Sequence, residues 1–174
     1  MDTNAWNAAV AFHGHACPGL AIGVRAALAA RDHFAAARAE DEQLVCVCEN
    51  DACGVDGIQA ILGCTAGKGN LLFRLRGRQA FTFFERKSGR SLRLVLRADI
   101  PDLPRAEKIE WLLNAPEEAV FRRTAPRCGM PEPARLFRTC VCEVCGEPAA
   151  EYAMRLQDGR TVCLDCFSPY DRGW

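Results

Sequence analysis

Surplus charge of one sign, long apolar runs and histidine are all scarce in this sequence, and each scarcity narrows what the chain can be. The 22 Lys+Arg are balanced by 22 Asp+Glu, which argues against a general polyanion binder. No stretch approaches the roughly 18 uninterrupted apolar residues that a membrane-spanning helix needs. The opening Met1-Asp2-Thr3-Asn4 lacks the basic segment of a secretion signal, so a cytoplasmic location is expected. Aromatic residues make up only 8% of the chain, but 49% of its 174 residues are hydrophobic, enough for one ordinary domain with a small appendage.

Cysteine is abundant. Eleven cysteines accompany just three histidines, and an odd thiol count without a secretion signal favours metal ligation over a disulfide framework. They fall into an early group (Cys17, Cys46, Cys48, Cys53, Cys64) and a late one (Cys128, Cys140, Cys142, Cys145, Cys163, Cys166).

The patterning predicts an α+β domain. Residues 17–38 read as one helix with Cys17 at the N-cap and Pro18 at N1. Residues 44–49 read as a buried strand, on which Cys46 and Cys48 share a side and pack in the core. Residues 55–62 have helical spacing, ended by Gly63, and three strands follow at 71–76, 80–86 and 91–97. Alternation in the last strand implies a sheet covered on one face. Two short helices are expected at 105–114 and 116–123, then a proline-rich linker. The domain boundaries so drawn are 1–123, 124–139 and 140–174.

The late cysteines form the stronger motif. Cys142-x2-Cys145 and Cys163-x2-Cys166 are separated by 17 residues, a spacing suited to four thiolates around one structural Zn²⁺. Gln157-Asp158-Gly159 signals the hairpin that returns the second pair to the first. Cys128 and Cys140 are left as spares. Ten basic against twelve acidic residues from Pro101 onward make a nucleic-acid role for this tail unfavourable.

The early motif, His13-Gly14-His15-Ala16-Cys17-Pro18, places two imidazoles and a thiol just before a helix. A helix N-terminus favours thiolate. Cys53, between the strand and the second helix, should approach His15 and Cys17, giving a donor set suited to a second transition metal, zinc first among them. Cys64 is a further candidate ligand, but a helix between it and Cys53 spans about 16 Å at 1.5 Å per residue. It reaches the same ion only if that helix is short or if it acts from a neighbouring subunit of a homodimer. His13 and Asp56 are the acid/base candidates if the site is catalytic. The run from Gly63 to Asn70 fails as a phosphate loop, because Gly69 replaces the Mg²⁺-binding Ser/Thr. A glycine-rich turn there still offers Lys68 and Asn70 to a small anionic ligand.

Together these motifs resemble the FmdE or FwdE-like family of formylmethanofuran dehydrogenase proteins. The likeness is carried by His13 to Gly23, Glu49 to Gln59, Gly63 to Leu71, and Cys142 to Glu147 with Asp158-Gly159 and Cys163 to Cys166. It implies an N-terminal domain of order α-β-α-β-β-β, a form also seen in the catalytic domain of glyceraldehyde-3-phosphate dehydrogenase. It also implies a metal site on the N-terminal motifs, a zinc-ribbon-like tail, and association with molybdenum or tungsten redox enzyme subunits. The chain itself shows no molybdopterin-binding domain and no ferredoxin-type cysteine run. The expected function is therefore that of a metal-binding accessory protein, the alternative being a stand-alone metal-dependent enzyme acting on a small carbonyl or carboxylate.

Overall fold

The structure is a computed structural model and describes residues 2–173. It divides into two compact units, one running through Ala134 and one starting at Arg135.

The first unit begins with a helix that the sequence pattern did not announce, α1 (Thr3–His13), capped by the Asp2 carboxylate, which accepts from the Ala5 N–H at 3.0 Å. Gly14, at φ 92°, ends it in the left-handed conformation open to glycine. α2 (Pro18–Phe34) follows, with the Cys17 sulfur as its N-cap acceptor. Then come β1 (Leu44–Cys48), α3 (Gly54–Leu62), β2 (Leu71–Phe73), β3 (Ala80–Glu85) and β4 (Ser91–Leu96). From α2 onward this is the expected α-β-α-β-β-β order. α4 (Arg105–Asn114) also falls where its periodicity placed it. The helix expected over 116–123 is only one turn, α5 (Glu117–Val120), after which β5 (Phe121–Thr124) pairs antiparallel with β4. There the burial of Phe121 and the ladder to β4 override local helical preference.

The five strands form one sheet in the order β2-β1-β3-β4-β5, parallel only between β1 and β2. Strand alternation sorts the side chains. Cys46, Cys48, Phe81, Phe83 and Leu94 face α2 and α3 in the main core, with Leu20, Val24, Ile58 and Leu62 opposite. Val45, Val47 and Phe84 point to the other face, which is also covered in part: Cys128 packs on this second cluster. The proline-rich segment carrying it is tied down by Arg86 to the Pro131 carbonyl at 2.8 Å, and by the Ala134 N–H to Glu42 at 3.0 Å.

That second face holds a buried ion pair. Arg93, 2% exposed, meets Glu49, 5% exposed, at 2.6 Å, and Arg78 takes the other carboxylate oxygen at 3.0 Å. Burial opposes the charge on Glu49, but Arg93 and Arg78 outweigh it and hold its carboxyl below the ordinary 4.5. The resulting stability is fully present above about pH 4.5 and is lost as pH falls through the lower folded value. Arg93→Ala leaves a buried carboxylate poorly paired and is expected to cost about 3–5 kcal/mol in urea unfolding. The double change Glu49→Gln with Arg93→Met should cost clearly less, and an equal or larger loss would contradict this account.

The second unit contains two hairpins, β6 (Thr139–Val141) with β7 (Pro148–Ala150) and β8 (Met154–Gln157) with β9 (Arg160–Cys163). The turn of the latter is Asp158-Gly159, at φ 51° and 77°, a two-residue turn whose twist matches that of the strands.

Candidate metal centre

Two groups of metal-ligating side chains stand out among the described residues: Cys142, Cys145, Cys163 and Cys166 in the second unit, and His13, Cys17 and Cys53 in the first. Within each group the donor atoms lie within 4.8 Å of one another.

In the four-cysteine group, each pair sits on a tight turn. The Gly146 N–H reaches the Cys142 carbonyl at 2.9 Å, with Gly146 at φ 76°, and the Cys166 N–H reaches the Cys163 carbonyl at 3.2 Å. The Cys163 N–H donates to the Cys142 sulfur at 3.3 Å. Backbone N–H groups of Cys145 and then Cys163 lower the Cys142 thiol to about 6, so this ligand is ionised at neutral pH before a cation arrives. Hydrogen bonding to Cys163 pushes Cys166 up to about 12. Four thiols this close cannot all ionise alone, and a divalent cation resolves the conflict. This is a closed four-thiolate site of the zinc-finger type.

The first unit builds its group from three places in the chain. α2 and α3 approach until their backbones touch, because the contact is made by Gly19, Gly23, Gly54 and Gly57. A Cβ on Gly23 would collide with the Gly54 carbonyl, lying 2.5 Å from its carbon, and one on Gly57 would lie 2.6 Å from the Val24 nitrogen. A Cβ on Gly19 would press on the Cys53 Cβ at 3.2 Å. The glycine seam therefore sets the Cys17–Cys53 spacing. α1 also packs on α3, and its last residue, His13, completes the group. The Arg105 guanidinium on α4 holds the intervening loop through the Ala16 carbonyl at 2.8 Å.

His13 is oriented from behind. Its Nδ1 lies 2.7 Å from the Asp56 carboxylate, and the other Asp56 oxygen accepts from the Gln59 amide at 3.1 Å. An ionised carboxylate only accepts, so Nδ1 carries the proton and the Nε2 lone pair is turned toward Cys17, 3.8 Å away. A carboxylate behind an imidazole is the usual support of a metal-ligating histidine. The Leu20 N–H donates to the Cys17 sulfur at 3.3 Å. Cys53 departs from the expected thiolate at a helix N-terminus: it makes no cap bond, and burial together with adjacent Cys17 pushes its thiol up.

The other candidates are placed as follows. His15 is exposed, its ring 4.5 Å from that of His13, but it is outside the three-residue group. Cys64 is fully buried near β1, its thiol directed to the Leu44 carbonyl at 3.6 Å and pushed up to about 12 by that burial. Lys68 is held by the carbonyls of Ala39 and Glu40 at 2.9 and 3.2 Å. The buried Asn70 amide bonds the Thr65 N–H and the carbonyls of Asp41 and Leu44. Both side chains therefore clamp the chain's own 39–44 and 65–70 segments. Cys46 and Cys48 are buried in the core, their sulfurs 3.7 Å apart.

Fold and sites together define a mixed α+β metal-binding protein with a carboxy-terminal four-cysteine zinc finger. The chain belongs to the FmdE family, described as that of the molybdenum formylmethanofuran dehydrogenase operon, which residues 12–122 match. Residues 135–172 match the prokaryotic DksA/TraR C4-type zinc finger. A solved structure of an FmdE-like protein of tungsten formylmethanofuran dehydrogenase, from Syntrophus aciditrophicus, shares the fold, with a TM-score of 0.62 at 22% identity over 94% of this chain and 90% of that one. A probable S-adenosyl-L-methionine-binding protein of Archaeoglobus fulgidus is 29% identical over 91% of this chain. The chain spans about half, 51%, of that relative's length.

Proposed function

We propose that the amino-terminal group is a zinc centre held by His13, Cys17 and Cys53, with a fourth position left for a small exogenous ligand. The observation that carries this reading is the convergence of one imidazole and two sulfurs within 4.8 Å, with Asp56 behind the imidazole. Catalytic zinc sites characteristically use three protein ligands, whereas structural ones are closed by four. Zinc bound there supplies an electrophile that polarises a small carbonyl or carboxylate. The chain's own residues do the rest. Asp56 fixes the proton on Nδ1 of His13, the Leu20 N–H supports negative charge on Cys17, and the glycine seam keeps the two sulfurs at a fixed separation. His15, exposed beside His13, is placed to exchange a proton with a ligand at the fourth position.

The family membership supports a setting for this chemistry, that of a protein serving a molybdenum or tungsten formylmethanofuran dehydrogenase-type redox system. Purification from its native host should then yield subunits of such an enzyme with it, and their absence under mild conditions would remove this setting without touching the metal reading.

Metal analysis tests the centre itself. The full chain should hold two zinc ions. His13→Ala, Cys17→Ser and Cys53→Ser should each lose one, whereas His15→Ala and Cys64→Ser should lose none. Asp56→Asn should keep the ion but weaken its binding by about 10–100-fold. Cobalt substitution then reports the fourth position: added acetate should shift the visible bands of the amino-terminal ion, and unchanged bands would mean that the shell is closed.

A further inference from the structure

We propose that a cavity on the face of the sheet away from α2 and α3 binds a small phosphate-bearing molecule. This cavity, of about 260 Å³, is lined by Arg74, Arg76, Arg78 and Arg127, over a floor that includes Glu49 and the buried Thr82. Sequence alternation alone reads most basic residues between Lys68 and Arg97 as a solvated strand face. The structure gathers three of them with a fourth that lies 49 positions beyond Arg78.

The gathering is built by the backbone. Past β2 the chain stays extended along the end of β1, the Arg74 N–H bonding the Cys48 carbonyl at 2.9 Å and the Arg76 N–H the Glu49 carbonyl at 2.8 Å. The period of two in extended chain puts positions 74, 76 and 78 on one side. Arg127 arrives from the segment after β5, whose next residue, Cys128, packs on the floor cluster of Val45, Val47 and Phe84.

The charge is not neutralised locally. The one lining carboxylate, Glu49, has both oxygens engaged by Arg78 and Arg93. Among the described residues, Arg74, Arg76 and Arg127 form no ion pair. A chain with no net charge thus concentrates unpaired guanidiniums around one concavity, where low-dielectric walls focus the field. Planar guanidiniums with several N–H donors match the oxygens of a phosphate dianion. The volume suits a phosphate ester of a few carbons. The site does not depend on the metal centres.

Cys128, half-buried in the cavity wall, provides the readout. The zinc-loaded full chain is pulsed with N-ethylmaleimide, and labelling of Cys128 is followed by peptide mass spectrometry with and without glycerol 3-phosphate or inorganic phosphate. Both probes should slow labelling at least about fivefold at saturation, whereas glycerol, or sodium chloride at matched ionic strength, should not. Arg74→Gln and Arg127→Gln should each raise the concentration needed by about tenfold, as expected for the loss of a charge-assisted hydrogen bond. Both replaced side chains are exposed and unpaired, so the fold should survive, and unchanged circular dichroism verifies it. Arg97→Gln, at an arginine paired with Asp99 outside the cavity, should leave protection as it was. Absence of protection by either phosphate probe, or equal weakening in Arg97→Gln, would overturn the proposal. Protection by a short single-stranded oligonucleotide but by neither phosphate probe would overturn it in favour of a nucleic-acid surface.

Discussion

Removal of zinc from the carboxy-terminal unit is expected to unfold residues 135–173 and leave the first unit intact. The buried apolar core of this unit is Cys142, Val162 and Cys163, with Met154, Cys166 and Phe167 packed against it, so half of the core consists of metal ligands. Leu136, Val141, Tyr152 and Leu156 are exposed and add little burial. Units this small seldom fold on apolar burial alone. Binding of structural zinc contributes on the order of 10–16 kcal/mol to such modules, as much as or more than the net stability of a typical domain, about 5–15 kcal/mol. A chelator, Cys142→Ser or Cys163→Ser should therefore expose this unit to limited proteolysis, with a fragment ending near Ala134 surviving. Cys140→Ser and Cys128→Ser should leave it resistant. A metal-free tail that resisted protease would show that the hairpins hold themselves.

How much of the molecule is legible in its sequence differs between elements for physical reasons. α2, with a thiol cap and Pro18, and the Asp158-Gly159 hairpin carry their signals in adjacent residues, and both form as expected. β5 does not announce itself, because its strand character comes from pairing with β4 and from burying Phe121. α1 escapes notice since it buries only Ala5 and Ala9 and shows no apolar stripe, although Asp2 before an alanine-rich run is a capping signal that could have revealed it.

That helix also governs the metal site. Spacing alone cannot choose between His13 and His15. Only a helix ending at Gly14 and packed on α3 turns His13 toward Asp56 and the two thiols. Cys17 and Cys53 are legible as a pair because a helix returning along a strand brings the strand's end to the helix's start. The arginine cavity is not, since Arg127 joins it through a segment whose prolines read as a linker.

The glycine seam makes the last strong prediction. Gly23→Ala adds one methyl group, neutral or favourable to an isolated helix, yet here it meets the Gly54 backbone, which cannot rotate away as a side chain can. α2 and α3 must move apart, and Cys17 and Cys53 separate with them. Thermal unfolding of the first unit should fall by roughly 5–10 °C, as for an overpacked core contact. Affinity for the amino-terminal zinc should fall at least about 100-fold, as for a disrupted ligand set. Gly57→Ala, against the Val24 nitrogen, should behave alike. Gly67→Ala, with nothing within 4 Å of the added Cβ, should change neither property. The discriminating comparison is Cys17→Ser, which removes the ion while leaving the helix crossing in place, so its metal-free melting point should lie above that of metal-free Gly23→Ala. If Gly23→Ala keeps both its zinc and its melting point, close contact between the helices is not what positions the two sulfurs.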